Sequence, residues 1–130
     1  MIELRSVAAV AIGAAFGGAL RYVVGQLFLQ RFGPGFPYGT LFINVSGSVL
    51  IGVVAQLSAT RAFGMTPFLR VLLATGVLGG YTTFSTFSLE ALSLATDGLA
   101  LTSLFYVAAS VVLGIAAAFG GIATGRALAH

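Results

Sequence analysis

Four long apolar stretches follow one another along the chain, roughly over 4–29, 38–58, 67–95 and 99–128. Each exceeds the about 20 helical residues needed to cross a hydrocarbon core about 30 Å thick. The runs do not alternate residue by residue, which argues against transmembrane β-strands. The breaks between them carry turn chemistry. Arg31-Phe32-Gly33-Pro34-Gly35-Phe36-Pro37 holds two prolines and two glycines. The next break ends in Pro67, which suits the first turn of a helix, and Thr96-Asp97-Gly98 is a short turn. The pattern predicts one all-α membrane domain over residues 1–130 with four transmembrane helices. The first run, with Arg5 ahead of it, has some look of a signal peptide. Glu3 weakens its positive flank and the apolar pattern resumes after Arg21, so it is read as the first membrane helix.

Polar residues inside these runs are expensive and invite a functional reading. Arg21, in Gly17-Gly18-Ala19-Leu20-Arg21-Tyr22, either faces a cavity or snorkels toward the nearer headgroups. In the second run Thr40, Asn44, Ser48, Gly52 and Gln56 recur every four residues and share a face. In the fourth, Thr102, Tyr106, Ser110 and Gly114 do the same. Each stripe reads either as hydrogen-bonding glue between helices or as a track of donors.

The third run is the most informative. Continuous helix from 67 to 95 would be about 43 Å long, more than a bilayer core requires. Gly79-Gly80, followed by Thr82 and Thr83, predicts a mid-membrane break near 79–83. A break frees carbonyls that can hold a cation and amides that can meet an anion. The competing reading is a straight helix whose Gly76 and Gly80 permit close packing. Phe84 and Phe87 follow, three apart among five hydroxyl residues. Aromatic rings have positive edges, so such a pair can meet an anion without a fixed positive charge.

Composition and charge exclude most other classes. Apolar residues make up 58% and charged residues 7% of the chain, where soluble domains average about 25% charged. Six arginines, no lysine and three acids give a net charge of +3. The arginines are scattered singly, so nucleic acid is a poor partner. There is no cysteine, and the single histidine, His130, is the last residue and is expected to be solvated. No paired acid and base is present, so the chain is not expected to be an enzyme. Four crossings put both termini on one side with Arg5, Arg61, Arg70 and Arg126. Arg31 lies on the other side, with Arg21 nearer to it. This weak positive-inside bias leaves room for insertion in both orientations, and so for an antiparallel dimer.

Three motifs then carry a resemblance: Gly17-Gly18-x-x-Arg21-Tyr22, Gly39-Thr40-x-x-x-Asn44-x-x-Gly47, and Gly79-Gly80-x-Thr82-Thr83-Phe84-Ser85-Thr86-Phe87-Ser88-x-Glu90. Together they resemble the Fluc (CrcB-type) fluoride channels of microbes, over nearly the whole chain. The resemblance implies an antiparallel, dual-topology homodimer in the bacterial inner membrane with two fluoride pores. It implies a sodium ion at the dimer centre, held by backbone carbonyls of Gly79 and Thr82. It implies that Phe84 and Phe87 offer ring edges to fluoride and that Asn44 donates in the pore. Tyr106, Ser110 and position 114 correspond to a polar track, where this chain has Gly114 and relatives can carry serine. Thr86 and Glu90 fall along the outer part of the route, and Arg21 near a vestibule or in a structural role.

The physics suits that assignment. Fluoride is small and strongly hydrated, so shedding its water needs several close donors, without a fixed cation that would trap it. Hydrogen fluoride enters cells as the neutral acid and dissociates, and a passive channel lets the membrane potential drive the anion out. The rival is a small four-helix multidrug transporter, also a dual-topology dimer. Its proton coupling needs an embedded carboxylate, whereas the first run holds Arg21 and no acid. A purely structural subunit would explain the glycines but not the hydroxyl stripes.

Overall fold

The computed structural model describes residues 2–129, so His130 lies outside the described residues. Helix α1 spans Leu4–Phe32 and α2 spans Tyr38–Thr60. A short 3-10 turn at Ala62–Gly64 leads into α3, residues 67–81. This helix is built from an α-helical turn (Pro67–Arg70), a wide π-helical stretch (Val71–Leu78) and a closing α-helical turn (Gly79–Tyr81). Helix α4 is Phe84–Thr96 and α5 is Ala100–Leu128. The helices reach within a few residues of the expected bounds.

Local chemistry sets the ends. Thr66 caps α3, its hydroxyl accepting from the Leu69 amide at 3.2 Å, with Pro67 in the first turn. Gly33 ends α1 at φ +75°, a conformation that costs a side-chain-bearing residue energy. Helices α1, α2 and α5 are each long and apolar enough to cross a membrane. The remaining crossing, third along the chain, is shared by α3 and α4, because Thr82 (φ −80°, ψ 159°) and Thr83 (φ −152°, ψ 120°) are extended between them.

The break is therefore narrower than the sequence suggests. Gly79 and Gly80 stay helical, and only the two threonines leave the helix. Gly80 serves a different end: a Cβ there would come within 2.6 Å of the Ala14 carbonyl oxygen on α1. Close packing and a break, posed as alternatives, coexist in neighbouring residues. A π-helical stretch running up to the break accords with the tendency of such stretches to occur at functional sites.

Two tight helix pairs make up the chain, α1 against α3 and α2 against α5. Both seams bring backbone onto backbone. A Cβ on Gly17 would lie 2.0 Å from the Val77 carbonyl oxygen, and one on Gly121 would lie 2.0 Å from that of Val49. With lipid as apolar as leucine, such close van der Waals contact is what holds membrane helices together. Large apolar side chains point outward along α1 and α5 instead, among them Ile12, Phe16, Leu104 and Phe119. Tyr106 is fully enclosed, and Ile43, Leu78 and Tyr81 are buried near it or near the break. The loop after α1 folds Phe36 inward, edge-on to the Tyr106 ring at 5.4 Å.

Candidate functional site

The break is held open from α2. Asn44 Nδ2 donates to the Thr83 carbonyl at 3.0 Å, and Asn44 Oδ1 accepts from the Thr83 amide at 2.9 Å. One side-chain amide thus pairs with one backbone residue as a second peptide strand would. In a continuous helix the Thr83 amide would donate to Gly79 four residues back. Asn44 takes that proton, and the Gly79 carbonyl loses its helical partner. The Thr86 amide, which would otherwise reach Thr82, donates instead to Thr83 Oγ1 at 3.3 Å, capping α4. The carbonyls of Gly79 and Thr82 are therefore the two whose regular donors are diverted to side-chain acceptors.

Two more α2 residues brace the same spot. Ser46 Oγ and Tyr81 OH share a hydrogen bond of 3.0 Å. Gly47 leaves room for the Thr82 methyl, which a Cβ at position 47 would meet at 2.3 Å. Thr82 closes α3, its hydroxyl and amide both donating to the Leu78 carbonyl, at 2.9 and 3.0 Å.

A cavity of about 380 Å³ opens beside the break, lined by Asn44, Ser48, Thr82, Phe84, Phe87 and Ser110, with no charged side chain in its wall. The Phe84 and Phe87 ring centroids lie 5.6 Å apart at 47°. Phe87 rests on Tyr106 at 5.2 Å, while Phe84 is 80% exposed in the single chain. Ser110 Oγ is shielded from solvent and has no hydrogen-bond partner within the protein. A buried hydroxyl left in that state is uncommon and points to a ligand or water as its partner.

A second, wider cleft of about 720 Å³ lies toward the Gly33–Pro34 loop and holds Arg21, Thr40, Thr86, Glu90 and Asp97. Thr83 lines both spaces, and its hydroxyl donates to Thr86 Oγ1 at 3.1 Å. Glu90 joins three helices at the boundary. Its Oε1 accepts from Thr40 Oγ1 and its Oε2 from Tyr106 OH, each at 2.8 Å.

The two polar stripes divide on folding. Thr40, Asn44 and Ser48 face the third crossing, but Gly52 and Gln56 turn into the seam with α5, against Gly121 and Gly125. Four-residue steps on a helix of 3.6 residues per turn drift by about 40° each, so a five-member row cannot stay on one face. On α5, Thr102 sits in an outer dip with Phe36 and Phe105. Tyr106 commits its single proton to Glu90. Gly114 offers no hydroxyl, which leaves Ser110 as the free donor of that row. Ser46 and the diverting role of Thr83 stand outside the residues singled out from sequence, whereas Ser48 belongs to the α2 stripe read there. Ser46 lies off the four-residue stripe, and nothing in the pattern marks it. Among the described residues there is no cluster of three or more His, Asp or Glu that could hold a metal ion.

A helical chain with three uninterrupted spans, a fourth broken beside a cavity where hydroxyls and an amide meet aromatic rings, and an apolar exterior is a multi-pass membrane protein of the kind that passes small solutes. It matches the family described as "CrcB-like protein, Camphor Resistance (CrcB)" over residues 8–122, and it belongs to that family. It is 52% identical over 119 residues to a protein of Rhizobium meliloti named "Fluoride-specific ion channel FluC", covering 92% of this chain and 94% of that one. A Rhizobium etli protein of the same name is 55% identical over 119 residues with the same coverage. One from Chloroflexus aurantiacus is 44% identical over 123 residues, 95% of this chain and 97% of that one. The family read from the motifs is thus the family found.

Proposed function

We propose that this chain is a fluoride-selective channel that lets cytoplasmic fluoride leave passively across a bacterial inner membrane and so confers fluoride resistance. The observation that carries the reading is the cavity at the break, which combines an unpartnered buried hydroxyl, Ser110 Oγ, with two aromatic rings and no fixed cation. The relatives' name supports the same ion. Fluoride entering from the wide cleft passes Arg21, Glu90 and Thr86 and reaches the Thr83 hydroxyl shared by the two spaces. Beyond it, Ser110, the Asn44 N–H not used by Thr83 and the edges of Phe84 and Phe87 replace lost water. Tyr106, tied to Glu90, acts through its ring, which supports Phe87.

The working unit in this reading is an antiparallel homodimer with two pores. Phe84 supports it: a ring that lines the cavity yet is 80% exposed needs a cover that excludes lipid and water. A structural sodium ion at the dimer centre fits the residues present, since Gly79 and Thr82 are among the residues whose carbonyls are released from the helical ladder at the break. Those two carbonyls from each copy would hold it, and its charge would add positive potential between the pores. Purified protein in liposomes, loaded with fluoride or chloride and triggered by a potassium diffusion potential, tests the function. Fluoride is expected to leave far faster than chloride, and equal rates would refute selectivity.

A further inference from the structure

One hydroxyl in the smaller cavity has no task in the reading so far. Ser48 lies on α2 one turn beyond Asn44 and lines the cavity together with Ser110. Its Oγ donates back to the Asn44 carbonyl at 2.7 Å. Facing it on α5 is Gly114, one turn beyond Ser110. A Cβ on Gly114 would meet one atom only, Ser48 Oγ at 3.7 Å, an ordinary contact with no backbone in the way. The α5 row of hydroxyls stops at Ser110, and the polar atom nearest to its next position comes from α2.

We propose that Ser48 is an ion-contacting donor of the pore, continuing from the opposite helix the row that α5 abandons at Gly114. In the resting pore its proton is stored on the Asn44 carbonyl. As fluoride reaches the cavity the hydroxyl rotates and donates to the ion, then returns. The exchange leaves no orphan, because Asn44 lies within the unbroken α2 ladder and keeps the Ser48 amide as its helical donor. Side-chain bonds back to the preceding turn are local alternatives of this kind and not obligatory parts of a helix. A donor that can withdraw its proton solves two problems together. It is not left unsatisfied when the ion is absent, and it does not hold the ion as a fixed cation would.

This inference rests on the cavity being a fluoride path, so the experiment carries wild type as its own control. Liposome fluoride efflux is measured for wild type, Ser48→Ala, Gly114→Ser and the double variant, with size-exclusion elution of each. Ser48→Ala is expected to slow efflux roughly tenfold, equivalent to about 1.4 kcal/mol at the barrier. Gly114→Ser in that background restores most of the rate, since its new hydroxyl arises beside the lost one. Wild-type rates in Ser48→Ala overturn the proposal, and so does a slow variant that Gly114→Ser fails to restore. Ser48→Thr and Ser48→Val, near in shape and different in the hydroxyl, guard against a packing effect. The threonine variant is expected to conduct about tenfold faster than the valine variant, and equal rates overturn the proposal. A wild type that releases no fluoride brings down the pore reading itself, an outcome distinct from all of these.

Discussion

Asn44 is bonded to both backbone polar groups of Thr83, at 3.0 and 2.9 Å. The pairing joins two things that are separable in principle, a break in the third crossing and a polar wall for the cavity beside it. By accepting the Thr83 amide, Asn44 both ends α3 and keeps one N–H free on the cavity side.

Substitution at this residue should therefore damage structure and conduction in different proportions. Asn44→Asp keeps the acceptor for the Thr83 amide but sets a carboxylate oxygen against the Thr83 carbonyl and puts a negative charge in the wall of the cavity through which the proposed route runs. Efflux is expected to fall by at least a hundredfold, while the protein still purifies as a folded species. Asn44→Ala removes both bonds, and thermal unfolding in detergent should register a loss of about 1–3 kcal/mol. An Asp variant conducting at the wild-type rate would place Asn44 outside the pore.

The glycine seams yield a matched pair. A Cβ on Gly17 would lie 2.0 Å from the Val77 carbonyl oxygen, whereas one on Gly18 would meet nothing within 4 Å. Gly17→Ala is expected to push α1 off α3 at a cost of about 1–3 kcal/mol, lowering the melting temperature and the yield of monodisperse protein. Gly18→Ala should be neutral or slightly stabilising, because alanine favours the helix by up to about 1 kcal/mol. Equal melting temperatures for the two variants would show that the α1–α3 seam is looser than described.

Much of this was legible in the sequence, and the failures have physical causes. Run length and turn residues located every crossing, because helix length in a membrane is set by hydrocarbon thickness. The interruption was legible too, although the pattern spread it over Gly79 and Gly80 as well as the two threonines that carry it. Glycine marks both weak helix and close approach, and only the contact of Gly80 with Ala14 shows that it serves the second here. Asn44 announced itself as a polar residue deep in an apolar run. Its partner did not, since Thr83 receives it through backbone atoms that every residue possesses. The proton of Tyr106, expected in a donor track, goes to Glu90, a contact across sixteen residues that no helical period encodes. The row from Thr40 to Gln56 failed at its far end through helical drift alone.

The phenylalanine pair supports a prediction that separates chemistry from packing. Phe84→Ile and Phe87→Ile keep an apolar side chain but remove the positive ring edge. Each is expected to slow fluoride efflux by at least tenfold with unchanged elution. Phe87→Ile also removes the ring that rests 5.2 Å from Tyr106, so it should lower the melting temperature more than Phe84→Ile does, since Phe84 is 80% exposed in the single chain. Full activity in both variants would remove ring edges from the mechanism.

Assembly is tested by where the termini lie. An antiparallel dimer requires each copy to insert in the opposite sense to its partner, and the scattered arginines impose little preference. The chain has no cysteine, so single cysteines introduced at Glu3 and at Gly35 report orientation without background. In intact cells a membrane-impermeant maleimide should label about half of each population, because Glu3 and Gly35 lie at opposite ends of α1 and every copy exposes one of them. Complete labelling at one site and none at the other would mean a single orientation. The exposed face of Phe84 would then have to be covered by a parallel partner or by lipid, and the carbonyls of Gly79 and Thr82 could not meet their counterparts across a two-fold axis lying in the membrane plane.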